Sequence, residues 1–357
     1  MNVKRIYKEK LEENDTVHPG KILSTVLLKY NINQKELSLR IGLTKKAINE
    51  IIKGKNPITK KTSEKLEKVF PISASFWDSI QEKYDLSIKK KSIKQAILKE
   101  IKDHKKEINK VYINLTENNL IPEIKFIQSN YQEIVLNIHR FFGIDSFKYI
   151  KNIYQDLFNK NFNKIDKHSL SAWIRLGEIQ LMDNMMSDCK LIQVKTKIHL
   201  IIKQLKNLKN IESLEKTLGK LGVLLVCLPD FKNTNIQSYS KWVNNKVLLL
   251  INSENINEDD FFFNIIYQIV NIVKNQKKSI HYHFLNSKYS KENILFLRKK
   301  LLKNIKKIDN IREFNRIAKD FKVPKHILKK ICYNICSKEL KQILNSKPEK
   351  QITYINI

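Results

Sequence analysis

Two short helical segments joined by a glycine constrain this chain more than any other feature of its sequence. In INQKELSLRIGLTKKAINEIIKGKNPIT, Asn33 precedes apolar residues at helical spacing, and Glu36 three residues later completes a capping-box pattern. Gly42 stands where the chain must turn tightly, since glycine accepts the left-handed backbone that ends many helices. Thr44 is a second N-cap, and the helix that it opens stops at Gly54. The pattern predicts a helix-turn-helix.

The second of these helices has one apolar and one polar side. Ile48 and either Ile51 or Ile52 point inward, which leaves a polar side formed by Lys45, Lys46, Asn49, Glu50 and Lys53. An earlier helix is predicted from HPGKILSTVLLKY, where Pro19 is acceptable in the first turn. A later apolar stripe at helical spacing is formed by Phe76, Trp77, Ile80 and Tyr84. We expect it to pack in the core rather than to stack on bases.

A generic helix pair, which any all-α protein can contain, is the alternative for residues 17–86. However, the full run of HPGKIL, QKELSLRIGLTKKAINEIIKGKNPITKKTSEKLEKVF and SASFWDSIQEKYDL closely resembles the DNA-binding domain of HigA-type antitoxins, in the Xre/Cro-like repressor class. The SASFW segment looks specific to the HigA branch. The resemblance implies a five-helix, lambda-repressor-like domain that binds an operator in double-stranded DNA.

The resemblance also implies a role for each residue around the second helix. Lys45, Lys46 and Glu50 would face base edges in the major groove, and Ala47 would approach a thymine methyl group. Gln34 would approach a phosphate. The full predicted DNA-binding set is Gln34, Thr44, Lys45, Lys46, Ala47, Asn49, Glu50, Lys53, Lys55 and Asn56.

The chain has 357 residues, which suggests two or three domains, and a formal charge of +31, which favours a polyanionic partner. Abundant Lys, Asn and Ile, with only 7 Gly and 7 Pro, indicate a general compositional bias, so the charge alone does not locate a nucleic-acid site. No apolar run approaches the roughly 18 residues that a membrane span needs. The segment MNVKRIYKEKLEEND lacks the apolar core of a secretory signal, and we expect a cytoplasmic protein without a membrane partner.

The four cysteines fit that compartment. Cys189 and Cys227 are isolated, while Cys332 and Cys336 are four apart and are expected to share one helix face. No C-x-x-C motif occurs, so packed thiols are favoured over a zinc or redox site.

Residues 87–190 are predicted to form a helical connector. Its first part is rich in lysine, and a solvated face is favoured there over contact with DNA. Further on, HRFFGIDS and SAWIRLGEIQ resemble the helical region that joins a HigA-like head to an ImmA/IrrE-type metallopeptidase domain in longer relatives.

Residues 191–310 resemble that peptidase domain. VLLVCL is a predicted buried strand, and SYSKWVNNKVLLLINSENINEDDFFFN resembles the strand pair of the family. In active relatives the next helix carries H-E-x-x-H, in which two histidines bind zinc and the glutamate activates a water. Here these positions hold Tyr267, Gln268 and Asn271, and Asn275 replaces a further common histidine. Glu292 falls near the position of the third ligand.

The expected fold is therefore mainly α, with a small α+β C-terminal domain of zincin-like type that lacks its zinc ligands. We expect no catalytic residue, no metal and no cofactor, since phenol and amide groups are poor zinc ligands and Gln268 is no base. His281 and His283 would point the same way on a strand, which leaves an unexpected metal pair open. The remaining parts are an extension at 1–16 and a closing helical element with a tail at 311–357.

The favoured function is a sequence-specific DNA-binding transcriptional regulator of HigA-like antitoxin type. It is expected to be a homodimer, because such heads bind two half-sites about one helical turn apart. Its C-terminal half would sense or bind a partner, and the family implies a RelE-like ribonuclease toxin. The alternatives are an active zinc metallopeptidase that cleaves a repressor or antitoxin, and a structural or sequestering module whose DNA-binding face has decayed.

Overall fold

A computed structural model of the chain describes residues 17–162, 164–183, 186–204, 211–254, 258–274, 280–285, 294–296, 298–299, 305, 307–320 and 325–346. These residues divide into two compact units, at 17–103 and from 104 onward. The predicted extension at 1–16 and the end of the predicted tail, 347–357, lie outside the described residues.

The first unit contains the helix-turn-helix and is entirely helical in its described part. Its helices are α1 (Pro19–Lys29), α2 (Gln34–Ile41), α3 (Lys45–Ile52), α4 (Lys60–Val69) and the first part of α5 (Ala74–Glu117). One apolar core holds them together, with nearly complete burial of Ile22, Leu23, Val26, Leu37, Ile48, Leu66, Phe70 and Trp77. The five predicted helices are confirmed, and the stripe on α5 is anchored in this core by Trp77 and Ile80.

The caps that begin α2 and α3 are those expected from the sequence. Asn33 Oδ1 accepts the backbone N–H of Glu36 at 2.9 Å, and Thr44 Oγ1 accepts that of Ala47 at 3.1 Å. Gly42 ends α2 with a φ of +62°, in the left-handed region that L side chains rarely adopt. The carboxylate of Glu36 instead pairs with Arg40 at 2.6 Å.

Helix α5 is longer than the separate segments predicted from the sequence. It runs for 44 residues and is interrupted at His104, whose φ of −134° and ψ of 23° are not helical. The interruption coincides with the division between the two units. Residues 74–103 therefore pack within the first unit, and residues 104–117 belong to the second.

The second unit consists of helices packed around a four-stranded sheet. Its helices are α6 (Tyr131–Phe142), α7 (Tyr149–Ile153), α8 (Gln155–Phe158), α9 (Lys167–Asp183), α10 (Leu191–Gln204), α11 (Ile211–Gly219), α12 (Glu258–Lys274), α13 (Ile311–Asp320), α14 (Lys325–Cys332) and α15 (Lys338–Ser346). Its strands are β1 (Val223–Leu228), β2 (Ile236–Val243), β3 (Lys246–Asn252) and β4 (Ile280–Phe284). The strand order is β1-β3-β2-β4, with β1 parallel to β3 and the other two pairs antiparallel.

The two faces of this sheet are covered by different helices. Ser238 and Ser240 on β2 bond to side chains of α12, so alternate residues of each strand face that helix. On the opposite face, Lys241 forms an ion pair of 3.1 Å with Glu178 of α9. The buried strand predicted at VLLVCL is confirmed as β1, and the predicted strand pair as β2 and β3.

The cysteine prediction was wrong in one respect. Cys332 is the last residue of α14, and a 3-10 helix at Tyr333–Ile335 follows it, so Cys336 does not lie on the same α-helix. Both thiols are nevertheless buried and free, as expected of packed cysteines. Burial raises the pKa of Cys332 to about 12, which keeps it protonated and unreactive.

Among the described residues, we find no helix with the length and apolarity required to cross a lipid bilayer.

Candidate nucleic-acid interface

Helix α3 is fixed to the first unit by its apolar side. Ile48 is fully buried and Ile51 is 5% exposed, whereas Lys45 and Lys46 at the N-terminal end are exposed. The sequence left Ile51 and Ile52 as alternatives, and Ile51 is the more deeply buried of the two. With this side held in the core, the opposite side and the first turn of α3 are available to a partner.

The ten predicted DNA-binding residues occupy α3, its flanks and the start of α2. Six of them are exposed, namely Thr44, Lys45, Lys46, Lys53, Lys55 and Asn56. The other four are half-buried and are Gln34, Ala47, Asn49 and Glu50. Four lysines thus accompany a single carboxylate, which gives the surface the positive charge that phosphate contacts require.

The turn after α3 folds back onto Glu50. Asn56 Nδ2 donates a hydrogen bond of 2.8 Å to Glu50 Oε2. The backbone N–H groups of Lys55 and Asn56 both donate to the carbonyl oxygen of Glu50, at 2.8 and 3.3 Å. Asn56, which was predicted to follow the DNA backbone, therefore orients the carboxylate of Glu50, which was predicted to face the bases. This pairing has no local sequence signal, because the two residues are six apart across a turn.

Helix α1 sets the position of α3 through a close backbone contact. A Cβ atom on Gly20 would lie 1.7 Å from the carbonyl oxygen of Ile51, so only glycine permits this approach. The start of α1 is also fixed by His18, whose Nδ1 accepts the N–H of Gly20 at 2.9 Å. Burial lowers the pKa of His18, which favours the neutral ring that can accept this bond.

In the second unit, Gln268 belongs to a buried polar cluster between α12 and β2. Its Oε1 accepts a bond of 2.8 Å from Ser240 Oγ, and its Nε2 donates one of 2.9 Å to Ser238 Oγ. Ser238 Oγ in turn donates to Asn264 Oδ1 at 3.3 Å. All four side chains are at most 1% exposed. The amide of Gln268 is therefore engaged by the sheet.

The two other substituted positions lie beside this cluster. Asn271 is 5% exposed, and the ring of Tyr267 lies 5.1 Å from that of His283. His281 and His283 pair with Ser240 and Ser238 across β2 and β4, so they share one face, as predicted for a strand. Burial and Lys160 lower the pKa of His281.

The groups that the structure describes around Gln268 do not make up a set of zinc ligands. No set of three or more His, Cys, Asp or Glu side chains suited to a metal occurs in the part of the chain that the structure describes. The carboxamide of Gln268 is engaged by two serines, and it is no base for a metal-bound water. Glu292 and Asn275 lie outside the described residues.

Comparison with known proteins places the best-supported similarity in the first unit. The family model described as helix-turn-helix matches residues 23–77. Virulence-associated protein A′ of Dichelobacter nodosus is 41% identical over 71 residues, and virulence-associated protein A of the same organism is 38% identical over 72 residues. Each match covers 20% of this chain, and the chain spans 62% and 71% of the length of these two relatives.

Two solved structures are similar over about a fifth of the chain. One is the Pseudomonas aeruginosa antitoxin HigA with the higBA promoter, 25% identical, which covers 22% of this chain and 86% of that one at a TM-score of 0.22. The other is a Pseudomonas aeruginosa protein in complex with its 28-bp operator DNA, 27% identical, which covers 21% and 82% at a TM-score of 0.20.

Proposed function

The chain belongs, through its N-terminal domain, to the helix-turn-helix family, and from that premise we propose that it is a sequence-specific regulator that binds double-stranded DNA. One observation carries the proposal. Helix α3 buries Ile48 and Ile51 in the core and leaves Lys45 and Lys46 exposed at its N-terminal end. A helix that enters the major groove contacts base edges with this end.

The remaining predicted contacts divide into two groups. Ala47 and Glu50 lie on α3 and belong to the predicted base contacts. A carboxylate such as that of Glu50 accepts hydrogen bonds from cytosine amino groups. Lys53 and Lys55 follow the helix and suit phosphates, which position a protein without reading sequence. Gln34, Thr44, Asn49 and Asn56 complete the surface.

The test begins by selecting a binding site from random duplexes with the full chain, because the operator sequence is unknown. Binding should be salt-dependent and sequence-dependent. The double variant Lys45→Ala with Lys46→Ala should lose at least about tenfold in affinity for the selected site, since each base contact supplies about 1–3 kcal/mol. The matched control is Lys65→Ala with Lys68→Ala on α4, which removes the same charge from a neighbouring helix.

Equal losses in the two double variants would show that general charge, rather than α3, binds the duplex. Binding that ignores sequence in the wild-type chain would instead favour a decayed DNA-binding face. Footprinting upstream of the chain's own gene then tests whether the selected site is an operator.

For the second unit we propose a zincin-like fold of ImmA/IrrE type without peptidase activity, which binds a partner or effector. The buried bonds of Gln268 to Ser238 and Ser240 support this, because they give the former base position a structural use. Metal analysis of protein purified without chelators is the test. We expect far less than one zinc per chain. A content of about one zinc per chain would instead favour an active zinc metallopeptidase.

We further propose that the regulator is a homodimer of HigA-like antitoxin type, since two-fold related half-sites match two copies of the head. Light scattering of the complex with the selected duplex should give two chains per site. A partner of RelE-like ribonuclease class would be revealed by a small basic reading frame beside the gene and by co-purification of its product. One chain per duplex would contradict the dimer.

A further inference from the structure

The second unit contains a cavity of about 570 Å³ whose lining is rich in lysine. Its walls come from the end of α5, from α7 and α8, from the start of α9 and from the loop between β1 and β2. Four lysines and two carboxylates are among the ten lining residues. A cavity of this volume matches the range of about 300–1,000 Å³ found for small-molecule sites.

The charges in the cavity do not cancel. Lys110 forms an ion pair of 2.7 Å with Asp166, which neutralises one lysine and one carboxylate. Lys167 donates to two carbonyl oxygens, those of Phe158 at 2.9 Å and Lys160 at 2.6 Å, so no carboxylate compensates its charge.

Two more lysines, Lys151 and Lys164, are exposed at the cavity. Neither has an ion pair or hydrogen bond within the described chain. With Lys110 and Asp166 paired, three lysines remain in the lining, and Glu107 is the one carboxylate that remains with them. The cavity therefore carries a net charge of about +2. Lys164 has a φ of +59°, a backbone conformation that is uncommon outside glycine and asparagine.

His168 gives the cavity a buried polar group. It is 8% exposed, and its ring stacks on Phe147 with the centroids 5.3 Å apart and meets the edge of Phe158 at 5.0 Å. Among the residues that the structure describes, its imidazole has no hydrogen bond to protein. The ring nitrogens of His168 are not among the side-chain atoms that lie buried without a partner in the described chain, so they reach the surface of the cavity, where a ligand or water can bond to them.

The N-terminal amides of α9 do not provide the recognition. Asp166 Oδ1 already accepts the backbone N–H groups of His168 and Ser169, each at 3.0 Å. The available groups are therefore the imidazole and the lysine ammonium groups, which suit an anion with several acceptor oxygens. Lysine binds phosphate as a point charge, and a net charge of +2 matches a phosphate monoester.

We propose that this cavity binds a small phosphate-bearing molecule, with Lys151 and Lys164 contacting the phosphate oxygens and His168 donating a hydrogen bond to the ligand. The site lies wholly in the second unit, and the residues proposed to bind DNA lie in the first. The proposal names a class of ligand for this half of the chain, and it does not depend on the substituted positions on α12.

The test is calorimetric titration of the full chain with inorganic phosphate, adenosine monophosphate and adenosine at fixed ionic strength. At least one phosphate-bearing probe should bind saturably at one per chain, and adenosine should not. Lys151→Gln with Lys164→Gln should weaken that binding at least tenfold. Lys195→Gln with Lys197→Gln, on the exposed side of α10, is the matched control and should leave it unchanged.

A second measurement reads the buried group directly. The ring signals of His168, assigned with His168→Gln, should move on addition of the bound probe. The proposal is overturned by the absence of saturable binding for both phosphate probes, by equal weakening in the two lysine double variants, by equal binding of adenosine, or by ring signals that stay in place.

Discussion

Ser240 on β2 donates a hydrogen bond of 2.8 Å to the side-chain carbonyl of Gln268 on α12, and both side chains are almost completely buried. The same amide donates to Ser238, so one side chain joins two positions of an internal strand to the helix above it. Because buried polar groups are costly when unpaired, this bonding fixes how α12 sits on the sheet.

Gln268→Ala should therefore lower the stability of the second unit. The substitution leaves the hydroxyl of Ser240 without its acceptor, while Ser238 loses a donor but keeps its bond to Asn264. An unsatisfied buried group costs about 1–3 kcal/mol. Urea unfolding, combined with hydrogen exchange of the β2 amides, measures the loss. Lys216→Ala on the exposed side of α11 is the control and should change stability by less than about 0.5 kcal/mol. An equally small effect in Gln268→Ala would show that the cluster is not structural.

Gly20→Ala should displace α3. The new Cβ would lie 1.7 Å from the carbonyl oxygen of Ile51, and backbone cannot rotate away as a side chain can. Overpacking of this kind costs about 1–3 kcal/mol or more, and we expect faster amide exchange in α1 and α3. Gly219→Ala is the control, because a Cβ added there would meet no atom within 4 Å beyond its own neighbours and helix backbone. Unchanged exchange in Gly20→Ala would contradict the close approach.

The helix-turn-helix could be predicted from sequence because its signals are local. Asn33 and Thr44 cap helices through bonds to residues three positions away, and Gly42 meets a backbone requirement of its own position. The same holds for β4, where alternation alone placed His281 and His283 on one side.

The rest depended on contacts between distant parts of the chain. The partners of Gln268 lie 28 and 30 residues earlier, and nothing local marks Ser238 or Ser240 as its acceptor and donor. The cavity around His168 likewise collects residues from five segments. Cys336 was misplaced because a short 3-10 helix replaced one turn of the expected α-helix.

Asn56→Ala should alter sequence preference more than overall affinity. Asn56 holds the carboxylate of Glu50 through a bond of 2.8 Å, so its loss lets Glu50 reorient at the base edge. We measure binding of the variant to every single-base change of the selected site. Discrimination should fall at the position read by Glu50, by up to the 1–3 kcal/mol of one base contact. Lys55→Ala is the comparison, since a lost phosphate contact weakens all sequences alike and lowers the salt slope by about 1. An unchanged preference in Asn56→Ala would remove Glu50 from the set of base contacts.

His168 should make the second unit lose stability in mild acid. Burial lowers the pKa of this histidine to about 4, against 6.5 for the free side chain, although Asp166 and Glu107 act in the opposite direction. Above pH 6.5 the ring is neutral in both the folded and the unfolded chain, and its contribution is fully present. Between pH 6.5 and about 4 the unfolded chain binds a proton that the folded chain does not, so stability falls as the pH falls.

The size of this loss follows from the difference between the two pKa values and reaches about 3 kcal/mol at pH 4. His168→Gln should remove that part of the pH dependence, and the difference between the wild-type and variant unfolding curves isolates it from His18 and His281, whose pKa values burial also lowers. The pKa of Asp166 is lowered from 3.8, mainly by its bond to Lys110 against the effect of burial, so its own contribution is lost only at lower pH. Parallel curves for the two proteins between pH 6.5 and 4 would mean that the imidazole is accessible to protons in the folded chain, since only an unprotonated buried ring produces the predicted divergence.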